Sequence, residues 1–171
     1  MTKPDLLNVP PFYMTYVKLV KDSDLLSAMN ESGKSTQQLV RSIPEAKGEF
    51  RYQPEKWSIK ELLCHMIDAE RIFAYRALRF SRNDKTPLSG FEEKDYAPEA
   101  NAHNRSIENI VKEMEHVRLT SIDLYTSFSK EMLLRTGKAN NTEISVLNLG
   151  FIISGHETHH RNVLLERYLK V

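Results

Sequence analysis

The segment His156-Glu157-Thr158-His159-His160 concentrates the residues of this chain best suited to chemistry. His156 and His160 stand four residues apart within a long apolar run, Ile144 to Tyr168, that reads as a helix. On a helix they project from one face, one turn apart, so two imidazoles can share one divalent cation. Two separately hydrogen-bonded core histidines produce the same spacing, and the pair alone does not choose between the two readings. A third imidazole, His65, lies at the edge of an apolar stripe formed by Leu62, Met66, Ala69, Phe73, Ala77 and Phe80 at helical spacing.

A histidine on an apolar stripe needs a reason, because burying an imidazole is costly unless its nitrogens are paired. If the helices bearing His65 and His156/His160 are neighbours, three neutral imidazoles converge, as in a catalytic zinc site with positions left open for water or substrate. The alternative is three individually satisfied core histidines. His159, three residues from His156, could replace His160; its own stripe through Gly155 and Asn162 is more polar, which favours His160. His103 and His116 fall in a polar loop and on a polar helix face, where solvation is expected.

Asp68, three residues from His65, is a candidate to hold that ring or a bound water through its carboxylate, the alternative being an ordinary surface acid. Arg76, with Arg79 one turn further, is a candidate receptor for an anionic substrate, the alternative being solvated salt links. Glu157 and Arg161 are expected to form a modest surface pair. Cys64 points about 100° away from His65 around the helix and reads as a small buried hydrophobe. Gly150 and Gly155 weaken a helix relative to Ala and are expected to permit close packing or access beside the ligands.

Four helical segments must position these residues. The first runs from about Phe12 to Ile43, irregular near Asp22-Ser23-Asp24, where Asp22 or Ser23 could begin a new cap, and stops before Pro44. The second has the clearest start: Ser58-x-x-Glu61 is a capping box, with Trp57 placed to pack on Leu62. It runs out near Asn83-Asp84. Lys85 to Arg105, with Pro87, Gly90 and Pro98, is a long polar connection of a kind that often covers a site. The third begins near Ser106 and carries Ile107, Ile110, Val111, Met114, Val117, Ile122 and Tyr125. The fourth presents Leu149, Ile152, Ile153, His156, His160, Val163 and Leu164 on one broad face. No segment alternates with period two, so no sheet is expected. The pattern predicts an all-α fold, an antiparallel four-helix bundle with a long crossover loop, as a single domain over 1–171 with its core at about 12–170.

Composition narrows the function classes. The chain has 171 residues, enough for one substantial core, with 40% hydrophobic and 27% charged residues, both ordinary for a soluble protein. Net charge is +1 with no basic stripe, so no nucleic-acid partner is expected. Cys64 is the one cysteine, which excludes an internal disulfide and points to a reducing, cytoplasmic setting. Met1 to Val9 carries Lys3 and Asp5 and lacks an apolar leader core, and no run reaches about 18 apolar residues, so no membrane association is expected. With 6 glycines and no GxGxxG or GxxxxGK[ST], a dinucleotide or P-loop site is disfavoured.

Trp57 to His65, followed by Asp68-Ala69-Glu70-Arg71 and Tyr75 to Phe80, resembles the DinB-like superfamily. So do Gly90 to Tyr96 and the closing Gly155-His156-Glu157-x-His159-His160 with Glu166 to Leu169. The resemblance extends over nearly the whole chain from about Phe12. It implies a four-helix bundle, often a homodimer, with nickel or zinc bound by the residues matching His65, His156 and His160. It implies a small-molecule substrate and either hydrolysis or transfer to a low-molecular-weight thiol such as bacillithiol or mycothiol. The competing class is a non-catalytic bundle that uses the histidines to bind metal or ligand, or to pack a dimer.

With net charge near zero, few phosphates can be neutralised. Gel-shift titration against duplex DNA at physiological salt should show no tight binding; a tight, salt-sensitive shift would contradict the reading.

Overall fold

Side-chain caps set where the long helices begin. The computed structural model describes residues 1–5 and 8–170, so the Met1–Val9 stretch considered above for a leader lies partly outside the described residues. Its helices are α1 (Pro11–Val17), α2 (Leu25–Arg41), α3 (Ile59–Ser81), α4 (Glu93–Glu99), α5 (Ile107–Thr126), α6 (Lys130–Leu134) and α7 (Val146–Val163). The Ser58 hydroxyl accepts from Glu61 N, and the Glu61 carboxylate accepts from Ser58 N, completing the expected capping box of α3. Ser106 caps α5 through Asn109 N, and Ser145 caps α7 through Asn148 N. The last helix continues through a wider π turn, Leu164–Leu169.

The expected first helix is two. Asp24, rather than Asp22 or Ser23, caps α2 by accepting from Ser27 N, while Asp22 binds Asp24 N and the Ser27 hydroxyl. That side-chain network satisfies the backbone locally and breaks the helix between α1 and α2. A small sheet also appears where none was expected: β1 (Thr136–Ala139) pairs antiparallel with β2 (Thr142–Ser145) across Asn140 and Asn141, both at positive φ. Asn tolerates the left-handed region, as a two-residue hairpin turn of this type requires. Ile144 and Ser145 therefore belong to a strand, and α7 starts after them. The 85–105 connection contains α4, with Pro98 inside it, and a 3-10 turn at Ala102–Asn104.

The bundle consists of α2, α3, α5 and α7, with α3 and α2 each packed against both α5 and α7. Contacts give the directions. Arg41 at the end of α2 bonds Glu108 at the start of α5 at 2.8 Å, so these two run antiparallel. His65 near the start of α3 meets His156 and His160 in the later half of α7, so these also run antiparallel. Arg105, just before α5, reaches Cys64 near the start of α3, and Tyr125 at the end of α5 shares an apolar cluster with Phe80 at the end of α3, so α3 and α5 run the same way. A parallel α3–α5 pair needs a connection as long as the bundle, and the 82–106 crossover supplies it. No helix of the described residues is long and apolar enough to cross a membrane.

The apolar interior forms two clusters along the bundle axis. One contains Leu25, Met29, Phe73, Phe80, Tyr125 and Ile153; the other contains Val40, Ile59, Leu63, Ile110, Val117 and Leu164. Polar groups sit where the clusters meet: Ser32 on α2, Arg118 on α5, His156, Glu157 and His160 on α7, with His65 and Glu70 flanking the changeover on α3.

Arg118 is the hub of that layer. Its side chain is 5% exposed and donates to Met29 O at 2.6 Å, Ser32 Oγ at 2.9 Å and both Glu70 oxygens at 2.9 and 2.8 Å. Glu157 Oε2 lies 2.5 Å from Arg118 Nη2, a close ion pair. The surface pair expected between Glu157 and Arg161 is therefore corrected: Glu157 faces inward, its side chain 8% exposed, because α7 is enclosed by α1, α2 and α3. Burial opposes the Arg118 charge, but Glu157 and Glu70 outweigh it and raise its pKa; burial raises that of Glu157.

Removing one member of such a group strands the others without a counter-charge. Arg118→Met should lower unfolding free energy by about 3–5 kcal/mol, read by urea denaturation. A loss below about 1 kcal/mol, the scale of an exposed ion pair, would show that the network contributes little.

Candidate metal centre

Helix periodicity and packing bring His65, His156 and His160 together. His65 and His156 are almost fully buried and His160 half-buried, and their ligand nitrogens all lie within 4.8 Å of one another. The His156 Nε2 stands 3.2 Å from His65 Nε2 and 3.1 Å from His160 Nε2. A neutral imidazole nitrogen carries either one proton or one lone pair, so His156 Nε2 cannot satisfy both neighbours. Burial pushes the His65 pKa down to about 4, and it drives His156 and His160 well below the ordinary value, helped by the adjacent imidazoles. The rings are thus neutral near pH 7, the form that ligates metal.

The donor set fits a divalent cation. Metal–nitrogen bonds of about 2.0–2.1 Å around a tetrahedral ion place ligand nitrogens about 3.3 Å apart, and an octahedral ion brings them slightly closer. The observed spacings of 3.1 and 3.2 Å fall at that scale. No carboxylate joins the cluster among the described residues, so imidazole nitrogen is the whole donor set there, which suits zinc or nickel better than magnesium or calcium.

Neighbouring aromatics hold the rings. Trp57, at the entry to α3, lies against His65 with ring centroids 4.8 Å apart. Tyr16 on α1 meets the edges of His156 at 5.2 Å and His159 at 5.5 Å. Phe73 approaches His156 at 5.9 Å. The close seat of α1 depends on Gly155: a Cβ there would lie 2.3 Å from Tyr16 O, which bears out the close packing expected at that glycine. Gly150 behaves alike, its missing Cβ making room for Leu25 and Tyr125.

The centre opens on two sides. A cavity of about 220 Å³ is lined by Tyr13, Tyr16, His65, Phe73, Arg76 and His156, together with Phe91, Glu92 and Glu93 of the crossover. A wider cleft of about 600 Å³ is bordered by Trp57, His159, His160 and Tyr168, with Glu93, Lys94 and Pro98 across from them. The 85–105 connection therefore borders both approaches.

The remaining candidates are distributed as follows. Arg76 lines the smaller cavity. Arg79 is tied to Asp84 and to the Tyr75 hydroxyl, as a salt link. Asp68 is half-buried, which raises its pKa, and its charged neighbours are Arg71, Glu113 and Arg105; no hydrogen bond joins it to His65 among the described residues. His159 borders the wider cleft, and His103 and His116 are exposed. Cys64 is buried, and burial pushes its thiol up to about 11, so it is inert near neutral pH. Sequence reasoning missed Tyr13, Tyr16 and Arg118. The aromatic run Phe12-Tyr13 with Tyr16 at helical spacing was the available signal for α1; nothing in the sequence around Arg118 distinguishes it from a surface arginine.

Comparisons with known proteins agree with this architecture. A search of curated protein sequences returns no match. Among solved structures, YfiT from Bacillus subtilis, described as "a probable metal-dependent hydrolase with an unusual four-helix bundle topology", superposes with a TM-score of 0.71 at 15% sequence identity. The match covers 84% of this chain and 85% of that one. The family model of the DinB superfamily matches residues 28–164, a span that includes the three clustered histidines and most of the crossing helices. This chain belongs to the DinB superfamily.

Proposed function

We propose that this chain is a metal-dependent hydrolase whose divalent cation, zinc or nickel, is held by His65, His156 and His160. The observation that carries the reading is the meeting of three neutral imidazoles, with His156 Nε2 at 3.2 Å from His65 and 3.1 Å from His160, beside an open cavity. The description of YfiT as a probable metal-dependent hydrolase supports it by likeness of fold. A divalent metal there would supply Lewis acidity, polarising a carbonyl group and acidifying water or a thiol.

The chain's own residues provide the rest. Trp57 and Tyr16 fix two of the ring planes, so the ligand nitrogens are preorganised. Burial keeps all three rings unprotonated. Phe73 and Ala69 give the smaller cavity an apolar wall, which strengthens electrostatic interactions inside it. The crossover adds Glu92 and Glu93 to the lining of that cavity.

Protein purified without a histidine tag should contain near-stoichiometric metal. His65→Ala, His156→Ala and His160→Ala should each lose most of it, and His103→Ala should not. Loss in His159→Ala with retention in His160→Ala would reassign the third ligand. The loaded protein should cleave members of an ester and amide panel; activity confined to thiol transfer onto electrophiles would replace hydrolysis as the reaction. Chelation near neutral pH should leave helical circular dichroism largely unchanged while lowering the melting temperature, since a ligand bound only by the native state stabilises it by mass action.

The metal-free protein has its own pH signature. A histidine whose folded pKa lies below its unfolded value of about 6.5 stabilises the native state above pH 6.5, and that stability is lost as pH falls towards the folded pKa. For His65 the window runs from about 6.5 down to about 4. Melting temperature without metal should therefore fall steeply across that range, each buried histidine contributing up to about 1.4 kcal/mol per pH unit. A flat profile between pH 7 and 4.5 would show that the rings are solvated.

A further inference from the structure

Arg76 differs from the other buried arginine of this protein. Arg118 has two carboxylates, a hydroxyl and a carbonyl around it. Arg76 is 4% exposed, yet among the described residues no carboxylate lies within ion-pair distance of it. One guanidinium nitrogen donates to Ser89 O at 3.2 Å, the Tyr13 hydroxyl is a polar neighbour, and the Phe73 ring lies 5.8 Å away. A guanidinium has five N–H donors, and most of these have no protein acceptor. Burial lowers the Arg76 pKa, and only the Tyr13 hydroxyl works against it. Burying an unpaired cation is expensive, and a structural arginine would carry a counter-ion of its own.

The unpaired charge lines the same cavity as His65 and His156. Phe73 is 5.8 Å from the guanidinium and 5.9 Å from the His156 ring, so the two are at most about 12 Å apart, the sum of those distances. Arg76 follows His65 by three helical turns on the same face of α3, and long side chains on a helix lean back towards its N-terminus, here towards the histidines. The wall between the two ends is apolar, from Phe73 and Ala69. Exposed Glu92 and Glu93 line the same cavity, so each additional negative charge on a ligand meets further repulsion.

We infer that Arg76 is the anion receptor of this cavity, and that the substrate is a small molecule with a single negative charge, joined by a short apolar segment to a reacting group placed at the histidines. The inference rests on the metal-centre reading above. It names the substrate class: a monocarboxylate or similar monoanion, with polyanions excluded. A guanidinium pairs with a carboxylate through two parallel hydrogen bonds, so an acid should be preferred over its uncharged amide.

Two calorimetric titrations on the full-length protein separate this inference from the metal reading. In chelator-treated protein, hexanoate should bind at least about tenfold more tightly than hexanamide, and Arg76→Met should abolish the preference. In zinc-loaded protein, mercaptohexanoate should bind more tightly than hexanoate, and the acid-over-amide preference should again vanish in Arg76→Met while metal content stays unchanged. Arg76→Lys should keep the preference at reduced affinity, since it keeps the charge and loses the fork. Arg76→Met should melt at or above the wild type, because an unpaired buried charge is removed. Equal binding of acid and amide in wild type overturns the inference even if metal is present, as does a marked fall in the melting temperature of Arg76→Met, which would make the arginine structural. A clear acid preference in protein that takes up no zinc on reloading leaves the anion site standing and defeats the metal reading instead.

Discussion

Arg118 crosses the interior of the bundle and meets acidic groups from α3 and α7 together with a carbonyl and a hydroxyl from α2. One α5 side chain therefore ties all four bundle helices at a single level. Apolar packing is tolerant of small rotations and slips, but a buried charge is not, since a shift that lost one contact would leave an uncompensated ion in a low-dielectric interior. Glu157 held at Arg118 sets the rotation of α7. His156, the preceding residue, then points about 100° away around that helix, and His160 follows on the His156 face one turn later. The orientation of the histidines towards α3 follows from the placement of the neighbouring charge.

The same level of the bundle carries two kinds of polar burial. The charged group is internally paired, both carboxylates lying against Arg118. The imidazole group is not: the central nitrogen faces two others and can serve one, and His160 Nδ1 is buried with no partner among the described residues. Dividing the polar layer this way leaves one half as a rigid clamp and the other with unused donor capacity. That unused capacity lies where two openings reach the surface.

Topology determines what covers the openings. Because α3 and α5 run the same way, the chain must return along the full length of the bundle between them, and α4 travels past the histidines on that return. Glu93 consequently borders both the cavity and the cleft. The DinB superfamily match spans 28–164 and so includes the histidines, Arg76 and the crossover, while α1, which supplies Tyr13 and Tyr16 to the cavity wall, lies before it. The absence of side-chain bulk at Gly155 allows that small helix to lie close against α7.

Much of this was legible in the chain because it is local. The capping box at Ser58, the start at Ser106, the helical spacing of the apolar stripes and the four-residue spacing of His156 and His160 depend on backbone geometry within a few turns. So did the length of the crossover, which pointed to a bundle with one long connection. The two-residue Asn140-Asn141 turn was a readable signal too, but strands of four residues are too short for period-two alternation to stand out. The break before α2 fell within one or two residues of its expected place because Asp22 and Asp24 both offer capping oxygens, and only the folded chain selects one. What the sequence could not decide is which charged residues are interior. Glu157 and Arg161, four residues apart, look like a surface pair, and Arg118, Arg76 and Arg79 look alike in a sequence. Their fates diverge because burial and partnership are set by helices far apart in the chain: Arg118 finds two acids, Arg79 finds Asp84, and Arg76 is enclosed beside the histidines with none. Periodicity determined the helices and the faces they could present, whereas only tertiary packing decided which polar groups would be buried together, since pairing a buried charge requires a partner that no local rule can supply.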